Sequence, residues 1–284
     1  MNKIIIDNSK CISCGKCVDI CGANALEMKN KIVNLAFAEM CNSCGHCAAI
    51  CPENVIISNP ENLNNPFIIK DIPANLPPEQ LLFHKKRSVR EFKSKVVEKE
   101  NISKLIEYAE KAPSSSNIRK RKYYVITNND EIAKMETEVI NAFKKLSRIV
   151  NPALIKIISI FNKKAGKRFS GLLKSFKKMF VDYENNKQPV FRKSTCVICI
   201  AAPTKNEQSK DDCIISQQYM MLFGQTIGLG SCIIGYAQYQ HKIMEKILKV
   251  PKGYSIYAVS VFGMPKYIYE KEIDFRQNDV TWIY

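Results

Sequence analysis

From Lys86 onward, apolar residues recur with two periods. Ile102, Leu105, Ile106 and Ala109 follow i, i+3, i+4, i+7 spacing, which predicts one buried helix face, and Pro113 stops that helix. "KYYVIT" (122–127), "STCVICIAA" (194–202) and "YSIYAVSVF" (254–262) are rich in β-branched and aromatic residues and predict strands. "DDCIISQQYMMLFGQTIG" (211–228) predicts a buried helix that ends at glycine. Helices around a central sheet make an α+β domain. Before it, residues 56–80 hold five of the twelve prolines. That composition disfavours helix and predicts a stiff, extended linker over 58–80.

Upstream of the linker, cysteine replaces hydrophobic periodicity as the organising signal. "CISCGKCVDICG" (11–22) and "CNSCGHCAAICP" (41–52) each read C-x2-C-x2-C-x3-C, so Cys11, Cys14, Cys17 and Cys21 map onto Cys41, Cys44, Cys47 and Cys51 with an offset of thirty. Three cysteines on one tight loop can aim their sulfurs at a single cubane, and the fourth, a helical turn further on, faces the other one. Crossed ligation is therefore expected, with Cys11, Cys14, Cys17 and Cys51 on one [4Fe–4S] cluster and Cys21, Cys41, Cys44 and Cys47 on the second. Structural zinc favours paired C-x2-C knuckles with a longer spacer. A disulfide framework needs an oxidising compartment, and "MNKIIIDNSK" lacks the apolar run of a secretion signal. The expected location is the cytoplasm.

Charge sharpens the division. The chain carries a formal +16, yet residues 1–80 contain six lysines, no arginine and eight acids, leaving +18 on the remainder. Eight thiolates around two dicationic cores would make the first segment more negative still. An acidic electron-carrier module attached to a basic body favours electrostatic docking between the two, or of an acidic donor onto the body. No apolar run reaches the ~18–20 residues of a membrane span.

Four short segments of the second part carry chemistry. In "KKRSVREF" (85–92), Lys86, Arg87, Ser88 and Arg90 combine cations with a hydroxyl, a set that suits phosphate oxygens. "APSSSNIR" (112–119) offers hydroxyls and Asn117 to a polar ring edge. "GLGSCIIGY" (228–236) has glycines that admit a flat ligand close to the backbone. The tail, 262–284, leads from a Gly-x-Pro turn to Arg276.

Residues 1–57 resemble a bacterial two-cluster ferredoxin, with Gly22 standing where a proline usually follows the fourth cysteine. Residues 81–284 resemble an FMN-dependent nitroreductase. The resemblance rests on Arg87-Ser88-Val89-Arg90-Glu91-Phe92, on Pro113 to Asn117, on Gly228 to Cys232, on Gly263 to Pro265 and on Arg276. It implies an α+β chain with a ferredoxin domain over 1–57, a linker over 58–80 and an FMN-binding domain over 81–284. By the same carry-over Lys86, Arg87, Ser88 and Arg276 would hold the FMN phosphate, and Arg90 would lie toward the phosphate and the pyrimidine edge. Ser114, Ser115 and Asn117 would line the ring, and the backbone at Ile234 and Gly235 would face N5. The family often follows its asparagine with Gln-Pro-Trp, whereas this chain has "IRKRKYY" (118–124).

Residues 141–180 hold eleven lysines and arginines and no acid, interleaved with apolar side chains. The resemblance implies a pocket cover there; contact with a membrane surface is a less favoured reading, and a nucleic-acid patch lacks any groove-reading motif. Cys196 and Cys199 form a C-x2-C within a predicted strand, where i and i+3 point to opposite faces, so core packing is expected. Cys213 and Cys232 are expected to be buried thiols. His46 is expected on an exposed cluster loop, and no partner is assigned to His84 or His241.

The resemblance implies a homodimeric FMN oxidoreductase. Its two clusters relay electrons from a low-potential donor, ferredoxin or NAD(P)H, to a nitro, quinone or similar small aromatic acceptor. Two alternatives stay open: a redox sensor or electron carrier without small-molecule turnover, and an NAD(P)H-driven flavin reductase that uses the clusters as an outlet.

Overall fold

The computed structural model describes residues 2–63, 66–275 and 280–283. The chain divides into two compact units, residues 1–85 with 267–284, and residues 86–266.

In the first unit, β1 (Ile4–Ile6) pairs antiparallel with β4 (Ile56–Ser58), and β2 (Glu27–Lys29) pairs with β3 (Ile32–Asn34). Two single-turn helices, α1 (Lys16–Asp19) and α2 (His46–Ala49), follow the cysteine loops. Ile20, Ala49, Ile50, Val55 and Ile56 form the core beneath them. The expected linker differs from expectation. It contains β5 (Phe67–Asp71) and the first turn of a short helix, α3 (Pro78–Lys85). Pro78 stands at the first helical position, where its missing N–H leaves nothing unpaired. The bounds expected for the second domain also shift. The strand Lys271–Phe275 (β10), read from sequence as part of the FMN domain, pairs with β5 from Lys271↔Asp71 to Phe275↔Phe67. Both strands combine apolar and charged residues, and each is too short to persist without a partner.

The second unit is built on a four-stranded sheet. Its elements in chain order are α4 (Lys99–Glu110), β6 (Lys122–Ile126), α5 (Asn129–Ile149), α6 (Pro152–Phe161), α7 (Lys163–Glu184), β7 (Cys196–Pro203), α8 (Ser209–Thr226), β8 (Gly230–Ile233), α9 (Gly235–Tyr239), α10 (His241–Ile247) and β9 (Tyr254–Gly263). The sheet order is β6-β7-β9-β8, antiparallel throughout. β7 is covered on both faces, which is why its sequence is continuously apolar. Val197, Cys199 and Ala201 enter one core with α5 and α7, and Cys196, Ile198, Ile200 and Ala202 enter the other with α4 and α8. Asn128 caps α5 by accepting the N–H groups of Asp130 and Glu131 at 2.8 and 3.1 Å. The basic segment 141–180 is helical, ending α5 and forming α6 and much of α7, with Phe176 and Met179 turned into the core. Among the described residues no helix is long and apolar enough to cross a membrane.

Candidate functional sites

The two cysteine motifs fold alike. Gly15 and Gly45 precede α1 and α2 with φ of 76° and 71°, a left-handed conformation that glycine adopts without cost. Ser13 and Ser43 are left-handed as well, at 55° and 58°, as are Asn24 and Asn54 at 49° and 53°. The Val18 N–H closes onto the Gly15 carbonyl at 3.0 Å, and Ala48 onto Gly45 at 3.0 Å. The repeat seen in the cysteines thus extends to the backbone that aims them.

Two cavities open at these turns. One is lined by Cys11, Cys14, Cys17 and Cys51 among apolar neighbours such as Ile6 and Val33. The other is lined by Cys21, Cys41, Cys44 and Cys47 beside Ile4 and Ile20. The fourth cysteine of each motif therefore lies with the first three of the other. Burial pushes the Cys17 thiol up to about 12, and the sulfurs of Cys51, Cys14 and Cys11 push it the same way. Burial also raises Cys47, followed by Cys21, Cys44 and Cys41. Among the described residues, no three His, Cys, Asp or Glu converge on a single-ion site. Sulfur donors spread around an apolar cavity several atoms across fit an iron–sulfur cluster.

In the second unit the loop carrying Lys86 to Phe92 lies along the sheet. The Val89 N–H donates to the Ser231 carbonyl at 2.9 Å, and Lys93 N–H to Met264 at 2.8 Å. Two glycines permit this approach. A Cβ on Gly230 would stand 2.8 Å from Val89, and one on Gly263 would stand 2.9 Å from the Phe92 ring. Cations gather here. Lys86 Nζ donates to the Arg87 carbonyl at 2.9 Å, and Arg87 Nη1 to the Lys86 carbonyl at 2.8 Å. Burial lowers the Lys86 pKa to about 8; Cys232 opposes that fall and Arg87 adds to it. Arg90 Nη1 is buried and has no hydrogen-bond partner. A desolvated cation group with an unused donor fits an anion such as the FMN phosphate.

The other expected flavin residues are distributed unevenly. Ser115 N–H donates to Asp212 Oδ1 at 2.9 Å, so the loop after α4 is fastened to α8. Ser114 Oγ accepts the Arg119 N–H at 3.0 Å, and Asn117 Oδ1 accepts Arg119 Nε at 2.6 Å. Within one chain, the hydrogen bonds of these residues serve the loop and α8 instead of joining the Lys86–Arg90 loop. The Ile234 N–H donates to the Val259 carbonyl at 2.9 Å, so it is already engaged in the fold. At Gly235 an added Cβ would meet nothing within 4 Å, which leaves the backbone there open to a flat ligand. Arg276 lies outside the described residues.

Two participants escaped the sequence reading. Burial pushes the Arg192 guanidinium down from its ordinary value; Cys232 opposes this and nearby Arg90 adds to it. Glu136, 1% exposed, accepts the N–H groups of Val190 and Phe191 at 2.8 Å each and fixes the segment that presents Arg192. Neither stands out in the sequence: Glu136 lies between Lys134 and Glu138, and Arg192 is followed by Lys193, as solvated charges commonly are.

Cys196, Cys199, Cys213 and Cys232 are buried free thiols, as expected for core residues. His84 meets Glu272, and His241 Nδ1 lies 2.9 Å from Glu245 Oε1, so both histidines have carboxylate partners that were not assigned from sequence.

Comparison with known proteins gives a consistent result. Residues 84–264, more than half of the chain, match the nitroreductase family, and residues 3–52 match the 4Fe-4S dicluster domain. No curated protein matches the chain. Among solved structures, a nitroreductase with bound FMN from Bacteroides fragilis is similar at 14% identity and a TM-score of 0.56, covering 74% of this chain and 100% of that one. An FMN-dependent nitroreductase from Clostridium difficile is similar at 16% identity and a TM-score of 0.55, covering 72% and 99%. A nitroreductase with bound FMN from Desulfitobacterium hafniense reaches 0.51 at 16% identity, covering 74% and 100%. At these identities the likeness speaks to the fold.

Proposed function

The chain belongs to the nitroreductase family, and on that premise we propose that it is an FMN oxidoreductase whose dicluster module relays electrons toward reduction of a nitro, quinone or similar acceptor. When bound, the clusters carry electrons singly and FMN collects two for transfer to the acceptor. Cys11, Cys14, Cys17 and Cys51 would hold one cluster, and Cys21, Cys41, Cys44 and Cys47 the other. Lys86, Arg87 and Ser88, with Arg276, would hold the FMN phosphate, and Arg90 would lie toward the phosphate and the pyrimidine edge. The half-buried Arg192 adds positive charge to that region, which favours binding of an anion. Gly235 leaves its backbone open to the ring, and the Ser114–Asn117 loop would approach the ring from the partner subunit of a homodimer. A low-potential ferredoxin or NAD(P)H is the proposed donor.

One observation carries this reading. Two cavities, each lined by four cysteines, occur in the same chain as a nitroreductase-family domain with an orphaned buried guanidinium nitrogen. A hydride supplied by NAD(P)H alone would need no one-electron relay. The test is anaerobic purification with assay of iron, sulfide and flavin, then turnover with nitroaromatics and quinones using reduced ferredoxin, NADH and NADPH in turn. Iron, sulfide and FMN together with turnover support the proposal. Zinc in place of iron, or loss of all flavin after reconstitution, overturns it, and full cofactor content without turnover points to a sensor or carrier.

A further inference from the structure

The cysteine duplication predicts two equivalent cluster environments, and the structure breaks that equivalence with charge. In the first copy the Cys21 carbonyl accepts a neutral backbone donor, Asn24 N–H, at 2.9 Å. In the second copy the Cys51 carbonyl accepts Lys271 Nζ at 3.0 Å, from a residue 220 positions away in sequence. The same ammonium donates to Asn54 Oδ1 at 2.6 Å, so two neutral oxygens fix its position without cancelling its charge. A second break lies at the other end of the chain. Lys3 Nζ donates to the Cys41 carbonyl at 2.6 Å, while the residue thirty positions on from Lys3 is Val33, which has no charge to offer Cys11. Both lysines are half-buried, so solvent screens them less than it would a free surface charge.

The fourth cysteine of each copy lines the opposite cavity, so the two ammonium groups act on different sites. Cys51 belongs with Cys11, Cys14 and Cys17, and Cys41 with Cys21, Cys44 and Cys47. We propose that Lys271 and Lys3 are positioning residues that set the reduction potentials of the two clusters separately, each through the carbonyl of one cysteine ligand. The inference rests on the cluster reading given above. Each cluster gains a negative charge on reduction, and a fixed cation one peptide group away favours the more negative state. β10 is thereby a functional part of the electron-carrying module. It is held there by pairing with β5, by the Tyr267 hydroxyl on Asp19 at 2.6 Å, and by Ile273, which an added Cβ on Gly45 would meet at 2.8 Å.

Redox titration of the full-length protein, followed by the EPR of reduced clusters, tests this. Each cluster contributes one one-electron step. K271M should move one step to lower potential and leave the other in place, and K3M should move the other. A tenfold fall in the reduced-to-oxidised ratio at fixed potential, which corresponds to 59 mV for one electron, is expected for each. The double variant should move both steps, and K271R, which keeps the charge, should restore the first. K271Q, which keeps a donor but loses the charge, should behave like K271M and serves if that variant fails to fold. Wild-type iron content with both steps unmoved, or both variants moving the same step, would overturn this inference alone. Wild-type protein lacking iron–sulfur clusters would overturn the cofactor reading and this inference with it.

Discussion

The Glu136 carboxylate accepts the Phe191 N–H at 2.8 Å from a position buried in the core of the second unit. Its other oxygen accepts the Val190 N–H, so one side chain on α5 satisfies two backbone donors of the segment entering β7. E136A leaves both donors buried and unpaired and should destabilise the unit by about 2–4 kcal/mol, read from denaturant unfolding. E136Q keeps one acceptor and turns an N–H₂ toward the second donor, and should cost about 1–3 kcal/mol.

The same residue gives a pH signature. Burial raises the Glu136 pKa, and the two backbone hydrogen bonds and Arg192 only partly oppose it. Because the folded-state pKa exceeds the unfolded one, the folded state holds this proton more tightly. The associated stability is fully present below the ordinary value near 4.5 and is lost as pH rises through the folded value. Wild-type stability should carry that decline, and E136Q, which cannot titrate, should lack it. Identical pH slopes in the two proteins would contradict the assignment.

Gly230 makes the cation loop possible. G230A places a Cβ 2.8 Å from Val89 and should push the Lys86–Phe92 segment off the sheet, at about 1–3 kcal/mol. FMN affinity should fall with it. Shrinking the neighbour in V89A/G230A should restore much of both, and failure of that rescue would show that the close approach is not what matters.

Lys86 provides a pH test of flavin binding. Its pKa falls to about 8, mainly through burial, so the free protein begins to lose this charge at mildly alkaline pH. FMN affinity should weaken as pH rises through that value, by about ten- to a hundredfold in all for loss of one charge-assisted hydrogen bond. K86R, which stays charged, should abolish that dependence. Fluorescence titration of FMN between neutral and alkaline pH checks both proteins.

Burial pushes Cys196 and Cys199 each up to about 12. Native-state alkylation should leave both unmodified, and denaturant should expose them together. Early modification of either would contradict its place in the core.

How much of this was legible in sequence follows from the range of the interactions involved. The cysteine repeat and the enrichment of β-branched and aromatic residues are local patterns. The strands matched closely: 122–127 contains β6 (Lys122–Ile126), and 254–262 lies within β9 (Tyr254–Gly263). The opposite faces of Cys196 and Cys199 followed from strand geometry alone. β5 and β10 were hidden because their pairing joins residues about two hundred positions apart, and neither shows the continuous apolar run of β7. Proline-rich composition concealed β5 further. Arg192 and Glu136 were missed because burial of a charge is a property of the packed interior, which no spacing rule encodes. The engagement of the Ile234 N–H by β9 is long-range in the same way and leaves no mark on the local motif.

The central claim is that electrons enter through the cysteine sites and reach the flavin domain from there. Anaerobic stopped-flow reduction by ferredoxin, compared between wild type and a C14A/C44A variant that removes one ligand from each cavity, tests it most directly. The account predicts loss of cluster absorbance before flavin absorbance in wild type, and at least a hundredfold slower flavin reduction in the variant with FMN still bound (an order-of-magnitude expectation for removing a relay). Equal flavin reduction rates in the two proteins would contradict it.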